Sequence, residues 1–212
     1  MAKTYVTSEL RDYAPLIREM RGIKNVGENI IKHTISDMRT KAPTKMGIAV
    51  RAVYNVSPGA VSLGKKSKKG KRIGGLRLKG SNLESIQFKF FGRRLIPTKE
   101  IFSLEAKQPS KKGLPFQMTA TVEKGRTEKL PKDAFVTTNR WNRTLPYQRL
   151  SSDRLSLKPI KTISLPEMID DTRVRQPAQA AIDAEIEARI KHHIKQANQG
   201  SKYLLKEPRK QN

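Results

Sequence analysis

Phe116, Met118, Ala120 and Val122 alternate with Gln117, Thr119, Thr121 and Glu123, the two-residue period of a strand with one dry face and one wet one. Lys124-Gly125 supplies a turn behind it. Short runs follow at 133–138, 145–150 and 155–163, separated by 139–144 and by Ser151-Ser152-Asp153, residues that favour loops. The stretch 114–163 is therefore expected to form a small antiparallel sheet. Helical patterns lie on both sides of it, so the expected fold is α+β, with the sheet packed by an N-terminal and a C-terminal long helix.

On the N-terminal side, 10–21 carries apolar residues at helical spacing, interrupted by Pro15 and closed by Gly22, and predicts a short docking helix. The stronger pattern is 23–40, where Ile23, Val26, Ile30, Ile31, Thr34, Ile35 and Met38 recur at three- and four-residue steps. Ala42-Pro43 is expected to end it, because a proline pushes the preceding residue out of the helical region. The following stretch, 48–56, suits helix or strand, and Ser57-Pro58 resembles a helix start weakened by Gly59. On the C-terminal side, Ser164-Leu-Pro-Glu167 supplies an N-cap, a proline in the first turn and an acid near the positive helix end. Pro177 is expected to divide that helix into 165–171 and a longer piece whose core face is Ile182, Ile186, Ile190 and Ile194.

The 212 residues suffice for one domain, expected over 1–199 with a polar tail over 200–212. Without cysteine there is no disulfide, thiolate metal site or cysteine nucleophile, which fits a reducing compartment. No apolar run approaches the roughly 18 residues of a membrane span, so a soluble protein made in the cytoplasm is expected, with no membrane partner. The 44 basic and 19 acidic residues give a net charge of +25. It is unevenly spread: 10 basic and 5 acidic over 1–64, 25 and 7 over 65–162, and 9 and 7 over 163–212, or +5, +18 and +2. A field concentrated in this way suits a polyanion, most commonly nucleic acid.

The densest basic run lies over 65–79, where Lys65, Lys66, Lys68, Lys69, Lys71, Arg72, Arg77 and Lys79 stand among glycines with no acid. Self-repulsion and glycine entropy predict an extended, flexible basic loop over 64–80 that contacts nucleic acid or an acidic partner. A strand is expected over 85–91, with Ile86, Phe88 and Phe90 on one face, and an edge segment or short helix over 98–104. Tyr203, Leu204 and Leu205 form an apolar patch in the tail, the expected contact between copies of the chain.

Enzymatic signatures fail for specific reasons. Gly70-Lys71 is followed by Arg72, and the position of the first glycine is Lys65, so GxxxxGK[ST] is not met. Glu105-Ala-Lys107 resembles the end of a metal-nuclease signature, but no aspartate lies between Pro43 and Lys107 to join it. His192-His193 point about 100° apart on a helix and lack HExxH spacing, and His33 stands alone in sequence. No catalytic residue, metal or cofactor is expected.

In order, the basic run, the aromatic strand, Arg93-Arg94-Leu-Ile-Pro97, Asp133-Ala-Phe-Val136, the 154–160 segment and Leu165-Pro-Glu-Met168 resemble the minor tail protein Z family of long-tailed phages and prophages. That family typically carries a "GAF(I/V)" element, an "R-x-P-I" element and a "P-x-M" helix start. Ala134-Phe135-Val136, Lys158-Pro159-Ile160 and Pro166-Glu167-Met168 match them, with Asp133 where the family has glycine. The resemblance spans 24–193. It implies a non-enzymatic virion protein completing the tail near the head–tail junction, as a homo-oligomeric ring around the DNA channel. Its implied neighbours are tail terminator, tail tube or head-connector proteins and phage DNA. A basic nucleic-acid-binding protein of ribosomal or nucleoid type is the alternative that the charge alone supports.

Overall fold

The computed structural model describes residues 5–6, 27–57, 75–79, 87–99, 101–107, 117–131, 133–138, 144–151 and 156–199. Its centre is a pair of long helices. The first, α1 (Gly27–Val53), has 27 residues and so runs about 40 Å at 1.5 Å per residue. It extends well past Pro43, where the sequence predicted an end. Pro43 is itself buried, in a face built from Ile30, Ile35, Met38, Ala42, Met46, Ala49 and Val50. A proline inside a helix costs about 3 kcal/mol. Burying that many apolar side chains on both sides of it, at ~1.5–3 kcal/mol for each large one, outweighs the loss of one backbone bond.

Ser164 caps α2 (Leu165–Asp170) as the sequence predicted, through a reciprocal box in which the Ser164 side chain accepts from Glu167 N and Glu167 Oε2 accepts from Ser164 N at 2.7 Å. The division of the C-terminal helix falls at Asp171, not at Pro177. Asp171 takes extended-type backbone angles and caps the new helix, accepting from Arg173 N at 2.9 Å. That helix, α3 (Thr172–Asn198), carries Pro177 inside it at an exposed position. Val174, Ala178, Ile182, Ile186, Ile190 and Ile194 form its buried face, as expected for the four isoleucines. Lys45 meets Glu185 at 3.1 Å while Asp37 meets His193 at 3.3 Å, so α1 and α3 run antiparallel.

Among the described residues the strands form three antiparallel sheets of three strands each, in keeping with the expected α+β class. The first joins β1 (Tyr5–Val6), β2 (Gly75–Lys79) and β3 (Gln87–Phe91) in the order β1-β3-β2. Phe88 and Phe90 on β3 are each 2% exposed and belong to the helical core. The segment 114–163 divides between the other two sheets. One joins β4 (Glu105–Lys107), β5 (Gln117–Glu123) and β6 (Arg126–Lys129). The other joins β7 (Ala134–Thr138), β8 (Thr144–Arg149) and β9 (Leu157–Pro159).

In β5, Met118 and Ala120 are buried and Gln117 is exposed, the alternation the sequence predicted. Lys124 and Gly125 make the turn, with Gly125 at φ 78°, a conformation that strains any residue with a Cβ. β6 has no counterpart in the sequence expectations, since all four of its residues are exposed and none is apolar. Its pairing with β5 shifts register between Ala120 and Glu123, a bulge that absorbs one residue.

Among the described residues of 98–104, Ile101 forms an isolated bridge with Val56 and the others belong to neither strand nor helix. Phe102 (φ 65°) and Ser103 (φ 40°) occupy the left-handed region, uncommon for a bulky side chain. Phe102 is held there by complete burial, by donating its N–H to Asn55 O at 3.0 Å and by accepting from Thr121 N at 2.8 Å. The expected helix over 10–21 and the helix start at Pro58 lie outside the described residues. None of the described helices is long and apolar enough to cross a membrane.

Candidate functional site

The basic residues singled out in the sequence part into two groups. Lys65, Lys66, Lys68, Lys69, Lys71 and Arg72 lie outside the described residues, as do Tyr203, Leu204 and Leu205. Arg77 and Lys79 lie in β2, which corrects the expectation that the flexible loop extends through residue 79. Glycine and charge masked this strand, because its only apolar residues are Leu76 and Leu78. What makes it a strand is a partner: Leu76 pairs with Phe90 and Leu78 with Phe88, the two phenylalanines of β3 that enter the core.

The same register fixes the other cross-strand partners. Arg77 stands directly across from Lys89, Lys79 from Gln87, and on the other side of β3 Tyr5 stands across from Lys89. Gln87 and Phe91 are exposed and Lys89 is half-buried. Lys89 was not among the sequence candidates. The alternation in 85–91 placed it opposite the phenylalanines, but only the pairing with β2 brings it beside Arg77.

Of the segments that carry the family resemblance, 93–97 and 165–168 are joined through 162–164, and 133–136 and 158–160 lie in one sheet on either side of β8. Arg94 bridges to Ser164, Leu95 N donates to Ile163 O at 3.3 Å, and Thr162 N donates to Leu95 O at 2.7 Å. The Arg94 guanidinium lies 3.3 Å from Glu167, whose carboxyl is held below the usual range by the Ser164 backbone N–H, against a smaller opposing effect of burial. In the third sheet Tyr147 stands across from Phe135 on one side and Pro159 on the other. The Phe135 and Tyr147 rings lie 6.5 Å apart, and Arg149 sits 5.5 Å from the Phe135 centroid.

Two further clusters contain ionisable groups. At the break between α2 and α3, Tyr54 Oη donates to Asp171 Oδ2 at 2.8 Å, and Arg173 Nη2 reaches both Asp171 Oδ2 at 2.7 Å and Glu123 Oε1 at 3.2 Å. Hydrogen bonds from Arg173 hold the Asp171 carboxyl down at about 2, while burial and the bond to Asp171 push Tyr54 up to about 12. Neither group exchanges a proton near neutrality, so the arrangement is a clasp joining α1, β5 and α3 rather than an acid–base pair.

The second cluster lies in the seam between α1 and α3. His33 and His193 are 2% and 4% exposed, with ring centroids 5.7 Å apart. His33, isolated in sequence, is therefore not isolated in the fold. His193 Nε2 lies 3.3 Å from Asp37 Oδ2, but neither ring nitrogen is in hydrogen-bonding geometry. Burial lowers the pKa of His193, against the opposing pull of Asp37. Among the described residues, no group of three or more His, Asp or Glu side chains is arranged to hold a metal ion.

No family model, curated protein or solved structure matches the chain.

Proposed function

We propose that the chain is a non-enzymatic minor tail protein that completes the tail of a long-tailed phage at the head–tail junction. It is made in the bacterial cytoplasm and incorporated into the virion as a homo-oligomeric ring around the DNA channel, against tail terminator, tail tube or head-connector proteins. The observation that supports this reading is the order of the resemblance segments along the chain, together with two pairings among them. Phe135 and Pro159 stand on the two strands that flank Tyr147, and separately Arg94-Leu95 lies along 162–164 and reaches Glu167.

The ionisable clusters support a structural role in a second way. The clasp around Asp171 ties elements together, and the histidine seam is closed to any substrate by burial. Inactivating the gene in a phage that carries it tests the role. Electron microscopy of the lysate should show filled heads and tails that fail to join or terminate abnormally, with normal particles restored by the gene in trans. Normal, infectious particles without the protein would overturn the reading. The ribosomal or nucleoid alternative predicts instead that the protein co-sediments with ribosomes or nucleoid and is missing from purified tails.

A further inference from the structure

We infer that the α1–α3 seam opens from one end in mild acid, with His193 as the group that drives it and the Asp171 clasp as the end that stays shut. The inference rests on the seam alone and not on the tail role. The two ends of the helix pair are built differently. Where α1 finishes and α3 begins, Tyr54 and Arg173 both bond Asp171, and Arg173 also reaches Glu123 of β5. Where α1 begins and α3 finishes, His33, Thr34 and His193 are buried along with the apolar Ile30 and Ile194.

Among the described residues, five buried side-chain polar atoms lack a hydrogen-bond partner, and four of them lie at this second end: Thr34 Oγ1, both ring nitrogens of His193 and Gln196 Oε1. A buried polar atom without a partner weakens the packing around it, because it has given up water for nothing in return. The histidine end therefore parts more readily than the apolar remainder of the seam. The ion pair of Lys45 with Glu185, at 3.1 Å, ties the helices together between the two ends.

Charge sharpens the difference. The ionisable groups facing His193 among the described residues are Asp37 and His33 of α1 and His192 of its own helix. The His33 and His192 ring centroids lie 5.7 Å and 5.4 Å from that of His193, so a proton on His193 sets a cation beside two other imidazoles. Asp37 is the one carboxylate in the group, and its side chain is 37% exposed, where solvent screens the attraction. Burial accordingly holds His193 below its ordinary pKa, and the proton is taken up more readily once the seam parts and admits water. The clasp does not respond to the same fall in pH, since Asp171 is held down at about 2 and Tyr54 pushed up to about 12. Mild acid thus parts the helices around His193 and leaves them closed toward Asp171.

The chain has no cysteine, so a single introduced thiol reports opening at a chosen place. Ile194→Cys probes the histidine end and Ile182→Cys the clasp end, the same substitution at two buried positions of α3. Labelling by dithiodipyridine is followed at about pH 7.5 and about pH 5.5, each rate taken relative to the same variant unfolded in urea. One imidazole of ordinary pKa about 6.5 that stays neutral in the closed seam can raise opening by at most about tenfold over that interval, so Ile194→Cys should gain about three- to tenfold and Ile182→Cys less than about twofold. Adding His193→Leu or His193→Gln should abolish the gain, while Asp37→Asn, which removes the opposing carboxylate, should bring it nearer the limit. Circular dichroism checks folding, and Ile30→Cys, fully buried on α1 at the same end, replaces Ile194→Cys if that variant misfolds. Equal gains at both positions, no gain at the histidine end, or a gain that survives both His193 substitutions would overturn the inference.

Discussion

α1 buries ten of its residues and α3 eight, whereas β6 buries none of its four and, among the described residues, pairs only with β5. The helix pair is held by side-chain packing on a shared seam, strongly enough to accommodate a proline in each helix. β6 is held by backbone pairing to β5 and a glycine turn, with its own side chains left exposed. Such a division lets surface strands carry charge without endangering the core, because substitutions on an exposed strand face usually change stability by no more than about 0.5 kcal/mol.

The largest effect expected from breaking this contrast is in the seam. Ile190→Ala should destabilise the protein by about 2–5 kcal/mol, since Ile190 is fully buried against α1, while Thr127→Ala on β6 should change it by less than about 0.5 kcal/mol. Urea unfolding of both variants checks this, and comparable losses would mean that the hairpin belongs to the core. Next in size, Pro177→Ala should stabilise by about 1–3 kcal/mol, because Pro177 is exposed within α3 and its missing N–H leaves the helix one bond short. A fall in stability would show that Pro177 contributes packing its exposure does not reveal.

Asp171→Ala should cost about 1 kcal/mol by removing the cap of α3. Its folded pKa of about 2 lies below the 3.8 of an unperturbed aspartate. The stabilisation is therefore complete above the unfolded value and is lost as pH falls from there through about 2. Acid titration followed by circular dichroism should accordingly show a shallower transition in Asp171→Asn. The smallest effect concerns His193. Burial lowers its pKa in the fold, with Asp37 opposing and His192 and His33 adding to the lowering. Neutral His193 thus favours folding, and its contribution is complete above about pH 6.5 and lost as pH falls through the depressed folded value. The drop in Tm between about pH 7.5 and about pH 5 should be smaller in His193→Leu than in the parent. An unchanged drop would place the titration elsewhere.

The features legible in the sequence were those carried by local pattern. Alternation revealed β3 and β5, and Ser164-Leu-Pro-Glu167 announced the capped start of α2 because the cap, proline and acid act within one turn. The four isoleucines of α3 marked its buried face. What escaped depends on contacts remote in sequence. Pro43 interrupts nothing because the seam holds the residues on both sides of it, and the true break at Asp171 is set by Tyr54 and Arg173 rather than by Pro177. β6 has no apolar residue from which a period could be read, and β2 is recognisable only beside Phe88 and Phe90. For the same reason Lys89 comes to stand across from Arg77, and His33 meets His193, only once the strands and helices are paired.

The division between a packed helical seam and an exposed β6 is tested most directly by amide hydrogen exchange at neutral pH, read by mass spectrometry. The buried turns of α1 and α3 should exchange only through global opening, while 126–129 should exchange through local opening and far faster. Equal protection in β6 and the seam, or fast exchange in the seam, would contradict it.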